Sequence, residues 1–402
     1  MSKYGRLPLS NAMRHWWTIL ICLISTGAWS VELDLADHRL QIHGFLTQAY
    51  VKTTDNQFFG DSEDGSFEFR ELGINASYRF NPNLMASAQA LSRVAGEMYD
   101  GSLAVDYAQL DYHYSLNEEK RLGVILGRYK NPLGLYNDTR DVAATRPGIF
   151  MPQAIYWDRV RNMVLSNDGL LLSGEHNSEM HRLQLQLFTG KTPIDENVEA
   201  TYRPPGLSAS IDQGNLAYGG RLLYEWDGGR LRLALSNAML DFESKINMLP
   251  DGKFDLDYWV LSAQYNDGPW RLTLEYMQEP LDFHGFGGLL DAADTTVDGY
   301  YLQGDYRLHK DWELMLRYEE SHYNKDDPDG VETSLKIGGV PHNHYSKVWT
   351  LGLLWEPRER LMLRAEFSRV DGTIFLSNLD NPLPNEMVKD WDLIALLISY
   401  SF

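Results

Sequence analysis

The sequence predicts an all-β protein, a transmembrane antiparallel β-barrel of about 16 strands. Three observations predict it. Leucine and tyrosine alternate with arginine, glutamine and glutamate at a period of two along the chain, the pattern of strands with one apolar and one polar face. Short polar turns alternate with longer loops throughout, as the two rims of a barrel require. Aromatic residues, 12% of the 402, gather beside the short turns, where a membrane–water boundary suits their amphipathic rings.

The chain opens with a processing segment. Lys3, Arg6 and Arg14 precede the apolar run Trp16–Ser25, and Ala28-Trp29-Ser30 marks a cleavage site. Residues 1–30 therefore read as a signal peptide and 31–402 as the barrel. Cys22, the single cysteine, lies in the leader behind Ile21, where a lipoprotein signal has Gly or Ala. The expected mature chain then has no disulfide, cysteine nucleophile or cysteine metal site.

Sixteen strands are expected near 40–53, 67–80, 84–95, 103–116, 121–130, 167–175, 181–189, 216–226, 230–243, 254–265, 270–281, 297–308, 312–323, 345–356, 361–372 and 389–402. In the segment from Arg182, Leu183, Leu185 and Leu187 oppose Arg182, Gln184 and Gln186. From Trp270, the apolar set Trp270, Leu272, Leu274 and Tyr276 opposes Arg271, Thr273 and Glu275. A soluble sandwich shares this period with its apolar faces turned inward. Tyr78, Phe80, Tyr112, Tyr114, Tyr224, Trp226, Trp270, Trp312 and Trp355 all lie beside short turns, and that one-sided placement favours the barrel. An even count of about sixteen leaves an aqueous channel rather than a filled interior.

The longest irregular stretch, Gly127–Val164, departs from the background. It carries Arg128, Lys130, Arg140, Arg146, Arg159 and Arg161 against Asp138, Asp141 and Asp158, in a chain of net charge −20. It is too rich in Tyr, Trp, Phe, Ile and Met for a solvated loop. The expectation is that residues 131–166 fold into the lumen and constrict it. The six cations would line that constriction, with Arg182, Arg232, Arg271, Arg317 and Arg364 on the lumen wall. Guanidinium stays charged in confined space and grips carboxylate or phosphate through paired hydrogen bonds. Rings of Arg or Lys favour anions. The competing reading pairs these arginines with lumenal acids such as Glu225, Glu275, Asp305, Glu313, Glu319 and Glu366, holding loop and wall together.

Other constellations carry less. Acidic loop residues Asp55, Asp61, Glu63 and Asp64 read as solvated surface, with divalent bridging of lipopolysaccharide as the alternative use. His342 and His344 lack zinc-site companions. Ser166-Asn167-Asp168-Gly169 reads as a turn. There is no G-x-S-x-G, phosphate loop or dinucleotide fingerprint. No catalytic residue, cofactor or metal site is therefore expected, and the acidic balance disfavours nucleic acid.

The ending Tyr400-Ser401-Phe402 resembles the terminal signature of Gram-negative outer-membrane proteins, which implies engagement of the barrel-assembly machinery through Phe402. The sixteen-strand plan with a long third loop resembles the general porins, implying a pore-constricting loop and a homotrimer. Gly127-Arg128-Tyr129-Lys130-Asn131-Pro132-Leu133-Gly134 resembles the strand-to-loop junction of the phosphate-selective porin O/P family. The expected function is passive diffusion of small hydrophilic solutes across the outer membrane with a bias toward anions. An outer-membrane hydrolase and a plugged receptor or structural barrel are the alternatives.

Overall fold

In a computed structural model of the chain, residues 31–35, 38–202, 208–247, 249–287 and 294–402 are described. The signal peptide expected over 1–30 lies outside them. The strands are β1 (Val31–Leu35), β2 (His38–Thr53), β3 (Ser66–Asn81), β4 (Leu84–Ala95), β5 (Asp100–Ser115), β6 (Lys120–Lys130), β7 (Ser166–Asn177), β8 (His181–Lys191) and β9 (Ala209–Gln213). They continue with β10 (Ala217–Trp226), β11 (Leu231–Ile246), β12 (Gly252–Asp267), β13 (Trp270–His284), β14 (Thr295–His309), β15 (Trp312–His322), β16 (Tyr345–Arg358), β17 (Leu361–Gly372) and β18 (Asp390–Ser401).

Sixteen of these close into an antiparallel barrel. β2 to β8 pair in sequence, β8 pairs with β10, β10 to β18 follow in order, and β18 returns to β2 with Leu393 opposite Thr53 and Ser401 opposite Phe45. Closure removes the sheet edges, so every strand can satisfy its backbone within the wall. The remaining two strands are additions that the alternation did not reveal. β1 folds back on the start of β2, pairing Leu35 with His38. β9 pairs with the far end of β11, Gln213 opposite Phe242.

The two faces of each strand separate as the alternation requires. Leu183, Leu185 and Leu187 on β8, Leu272 and Leu274 on β13, and Leu316 on β15 are exposed, while Glu275 and Gln303 are fully buried. The leucine side faces outward and the polar side inward. Near the short turns Trp312 stacks on Trp355 with ring centroids 5.1 Å apart, and Trp270 meets Tyr306 at 4.3 Å. The tight turn Asp227-Gly228-Gly229 between β10 and β11 holds all three residues at positive φ (52°, 64° and 90°), which glycine accepts at little cost. The terminal Phe402 exchanges two backbone hydrogen bonds with Gly44, at 2.9 and 3.0 Å. Its ring occupies the space a β-carbon at Gly44 would need.

One local reading is corrected. Ser166-Asn167-Asp168-Gly169 is the opening of β7 and not a turn, with Asp168 opposite Arg128 and Gly169 opposite Gly127. Its polar composition imitates a turn because the outward Asp168 answers a cation across the ladder.

Candidate pore-lining site

Residues 131–165 contain short helical turns at Asn137–Thr139, Ala143–Thr145 and Asp158–Val160 and a one-turn helix, Arg161–Leu165. Their apolar residues are buried: Leu133, Ile149, Phe150, Met151, Ile155, Tyr156 and Met163. The segment lies against the inward face of the wall at many points. The Gly134 amide donates to Ser236 on β11 (3.0 Å), and Arg221 on β10 reaches the Gly134 carbonyl (3.0 Å) and Asp138 (2.9 Å). The Ile149 amide donates to Glu366 on β17 (2.6 Å) and the Ala154 amide to Glu319 on β15 (3.1 Å). Gly299 on β14 lets the loop approach closely, since a β-carbon there would meet the Ala154 carbonyl oxygen at 2.3 Å. Phe150 sits among Phe58, Phe59 and Phe69, with ring centroids 5.1, 5.3 and 5.3 Å away, so the first long loop packs on the same ring cluster.

Glu275 on β13 is the strongest anchor. Its carboxylate accepts from Tyr156 (2.8 and 3.0 Å), Tyr301 (2.7 Å), Ser262 (2.7 Å) and the Leu135 amide (2.9 Å). Burial raises the Tyr156 phenol well above its ordinary range, with Glu275 adding to the shift, so Tyr156 remains a donor.

The six expected constriction cations do not share one role. Arg128 is a correction. It shares the outward parity of Leu122, Val124 and Leu126, and it grips Asp168 with two hydrogen bonds of 2.7 and 2.8 Å on the outer face. The alternation of β6 carried this information, which the charge count of the segment overrode. Lys130 is paired with Asp106 and Asp141, and Arg161 with Asp141. Arg146 holds Glu71 on β3 at 2.5 Å, and Arg93 on β4 bridges Glu71 (3.2 Å) and Asp158 (2.9 Å). Arg140 meets Asp158 at 3.4 Å. Arg159 stacks on Trp157 with its guanidinium carbon 4.4 Å from the ring centroid.

These ion pairs are buried, and their charges are shared locally. Burial alone would raise the Asp158 carboxyl, but Arg93 and Arg140 hold it below its ordinary value. Burial pulls Arg161 down to about 10, with repulsion from Arg93 and Arg140 adding to it. Glu71, Arg93, Arg140, Arg146, Asp158 and Arg161 all border a cavity of about 10 Å³, room for one water.

The wall arginines divide into two groups, all on the inward parity. Arg317 is buried beside Glu319 (3.2 Å), and Arg364 donates to the Arg146 carbonyl (3.0 Å), so both support the loop. Arg182, Arg232 and Arg271, with Arg307, run along one arc of the wall from β8 to β14. Arg182 meets Glu175 and Glu225, Arg232 meets Glu225, Arg271 meets Asp305 and Glu313, and Arg307 meets Glu313. The arginine side chains are 41, 27, 33 and 50% exposed in chain order, whereas Glu175, Glu225, Asp305 and Glu313 are 15, 16, 2 and 11% exposed. Guanidinium edges thus stand in water over carboxylates that lie beneath them. Sequence reasoning missed Glu71 and Asp106 as loop anchors. The inward parity of Glu71 was an available signal, whereas Asp106 sits where the β4–β5 register shifts, Gln89 opposite Tyr107 and Ala90 opposite Val105, so alternation alone did not place it.

Asp380, in the loop before β18, ties three loops together. Its Oδ1 accepts from the amides of Glu97 (2.9 Å) and Gly60 (3.4 Å). Burial raises its carboxyl to about 6. The folded form therefore holds a proton that the unfolded chain gives up at lower pH. The resulting stabilisation is complete below pH ~4 and is lost as pH rises through about 6. We expect the wild-type barrel to melt higher at pH 5 than at pH 7.5, by the equivalent of about 1 kcal/mol after allowing for solvent screening. Asp380→Asn should flatten that difference, and an unchanged pH difference in the variant would remove Asp380 from the account.

Among the described residues no group of three metal-ligating side chains converges. His342 and His344 instead bond the carbonyls of Met387 (2.9 Å) and Gly338 (3.0 Å).

A family model, phosphate-selective porin O and P, matches residues 40–374. No curated protein matches the chain by sequence. Among solved structures, the outer-membrane channel DcaP of Acinetobacter baumannii superposes with a TM-score of 0.60 at 12% identity, covering 91% of this chain and 97% of that one. Salmonella typhi OmpF, in complex with daunomycin, gives 0.57 at 14% identity over 92% and 100%. The anion-selective porin from Comamonas acidovorans gives 0.55 at 14% identity over 91% and 100%.

Proposed function

Since this chain belongs to the phosphate-selective porin O and P family and is an outer-membrane porin, we propose that it passes small hydrophilic solutes passively, with an anion bias set by its wall. The observation that carries this reading is the arc of Arg182, Arg232, Arg271 and Arg307, more exposed than the acids beneath it. An anion moving along that arc meets guanidinium edges before carboxylate oxygens. Residues 131–165 narrow the lumen above the arc. Of their cations Arg140, Arg146 and Arg161 meet Asp158, Glu71 and Asp141, and Arg159 stacks on Trp157, so the loop sets the bore with most of its charge neutralised.

The family's name makes phosphate a candidate among the anions, and the paired nitrogens of guanidinium suit its oxygens. The trimer form of Vibrio cholerae OmpT, a similar barrel, supports a homotrimer here. The outward aromatic rows meet lipid and lipopolysaccharide, and Phe402 is the residue offered to the assembly machinery. A family of diffusion pores accords with a chain that transports without chemistry.

The test is substitution. Arg182→Gln, Arg232→Gln and Arg271→Gln combined should move the zero-current potential in a salt gradient toward cations, by a several-fold fall in the anion-to-cation permeability ratio. Arg161→Gln should leave the ratio almost unchanged and lower thermal stability. The reverse pattern, selectivity lost with Arg161 and kept without the wall arginines, would return the filter to the loop.

A further inference from the structure

The cavity beside Glu71 and Asp158 lies between the loop and the wall, and the charges around it do not balance. Arg93 on β4 and Arg140 in the loop converge on a single oxygen, Asp158 Oδ1, at 2.9 and 3.4 Å. Their side chains are 5 and 1% exposed, and each keeps a buried Nη1 with no acceptor among the described residues. An unmade hydrogen bond from a buried charged donor carries its full desolvation cost. Both guanidiniums border the cavity, together with those of Arg146 and Arg161. The two carboxylates on its lining are already committed. Glu71 holds Arg93 and Arg146, and Asp158 holds Arg93, Arg140 and the Gln153 side-chain amide (3.1 Å).

Arg161 is answered by Asp141, in a balanced set with Lys130 and Asp106. Behind the cavity Arg364 and Glu366 add one charge of each sign. That leaves Arg93, Arg140 and Arg146 with Glu71 and Asp158, three buried cations on two buried carboxylates. A buried charge without a counterpart is costly. A water in the cavity would satisfy the two donors and leave the charge. A monovalent anion answers both, and a single chloride is close to a water in size. Phe69, Ile149, Phe150 and Met151 complete the lining, so the outer oxygens of sulfate or phosphate would find neither room nor donors. We propose that this cavity is a halide site, in which one chloride accepts from Arg93 Nη1 and Arg140 Nη1 and fastens the loop to β4. The ion is a fixed part of the fold, separate from the anions that cross the pore. The site stands whether or not the wall arc selects among them.

An ion bound to the folded barrel alone makes unfolding depend on its concentration. In lipid vesicles, with gluconate replaced by chloride at constant ionic strength, the urea midpoint of the wild type should rise. Once the site is filled, the unfolding constant should fall about tenfold for each tenfold rise in chloride. Bromide should act as chloride does. Arg140→Gln, which removes one of the two free donors, should lose the chloride dependence. The combined Arg182→Gln, Arg232→Gln and Arg271→Gln variant should keep it, which separates this site from the wall arc. Crystals of the wild type grown in bromide should show an anomalous peak in contact with both Nη1 nitrogens, a result that does not depend on any variant folding. Equal midpoints in chloride and gluconate, a chloride dependence retained by Arg140→Gln, or a water alone in the cavity of the bromide crystal would overturn the site.

Discussion

Replacing Glu275 with alanine should loosen the constriction loop and raise single-channel conductance severalfold. The carboxylate is fully buried and receives two tyrosine hydroxyls, a serine hydroxyl and the Leu135 amide. Two of those donors, Tyr156 and the Leu135 amide, belong to the loop, while Tyr301 and Ser262 belong to the wall. Removing the acceptor leaves three buried hydroxyl donors without a partner and the Leu135 amide with the Tyr156 oxygen alone (3.0 Å). Hydrogen bonds to a charged group are each worth about 1.5–3 kcal/mol, and losses within one network do not add simply. A total cost of about 3–5 kcal/mol follows, read as a lower urea midpoint for the barrel in lipid vesicles. Glu275→Gln keeps one acceptor oxygen and should fall between. Conductance and stability both at wild-type values in the alanine variant would mean that the loop is held elsewhere.

The second large effect belongs to Glu71. It is the shared partner of Arg93 and Arg146, and all three side chains are buried. Glu71→Ala leaves Arg146 without a carboxylate and Arg93 with Asp158 alone. Breaking a buried pair from one side costs about 3–5 kcal/mol, because a charge is left uncompensated where water cannot reach it. The variant should show faster amide exchange over residues 140–146 and a lower unfolding midpoint. The double variant Glu71→Leu with Arg146→Met removes both charges and should recover most of the midpoint. A double variant no better than the single one would mean that packing around Phe69 and Phe150, not charge, dominates there.

The barrel was legible because its rule is local. A period of two repeated strand after strand places leucines and tyrosines on one side, and closure follows from the absence of any other home for that face. The same rule placed Arg182, Arg232, Arg271, Arg317 and Arg364 on the inward side. It also placed Arg128 outside, beside Leu126, and the error there came from weighing the segment's charge above its alternation. The loop's interior was not legible. Arg146 finds Glu71 75 positions away and Tyr156 finds Glu275 119 positions away, partners fixed only once the barrel has closed. Six cations in a short segment look like a filter until the acids of β3, β5 and the loop itself are brought against them. β1 and β9 escaped for a simpler reason: each is a five-residue strand added outside the ring of sixteen, and the clear alternation of Val31-Glu32-Leu33-Asp34-Leu35 reads as the approach to β2.

On the reading proposed above, the outward leucine-and-tyrosine face meets lipid while the inward arginine arc encloses water that anions cross. The most direct measurement is the zero-current potential of the purified wild-type protein in a planar bilayer separating dilute from concentrated potassium chloride. Steady conductance is expected, with a potential of the sign set by chloride moving down its gradient. A potential of potassium's sign, or a membrane that stays silent with folded protein inserted, would contradict it.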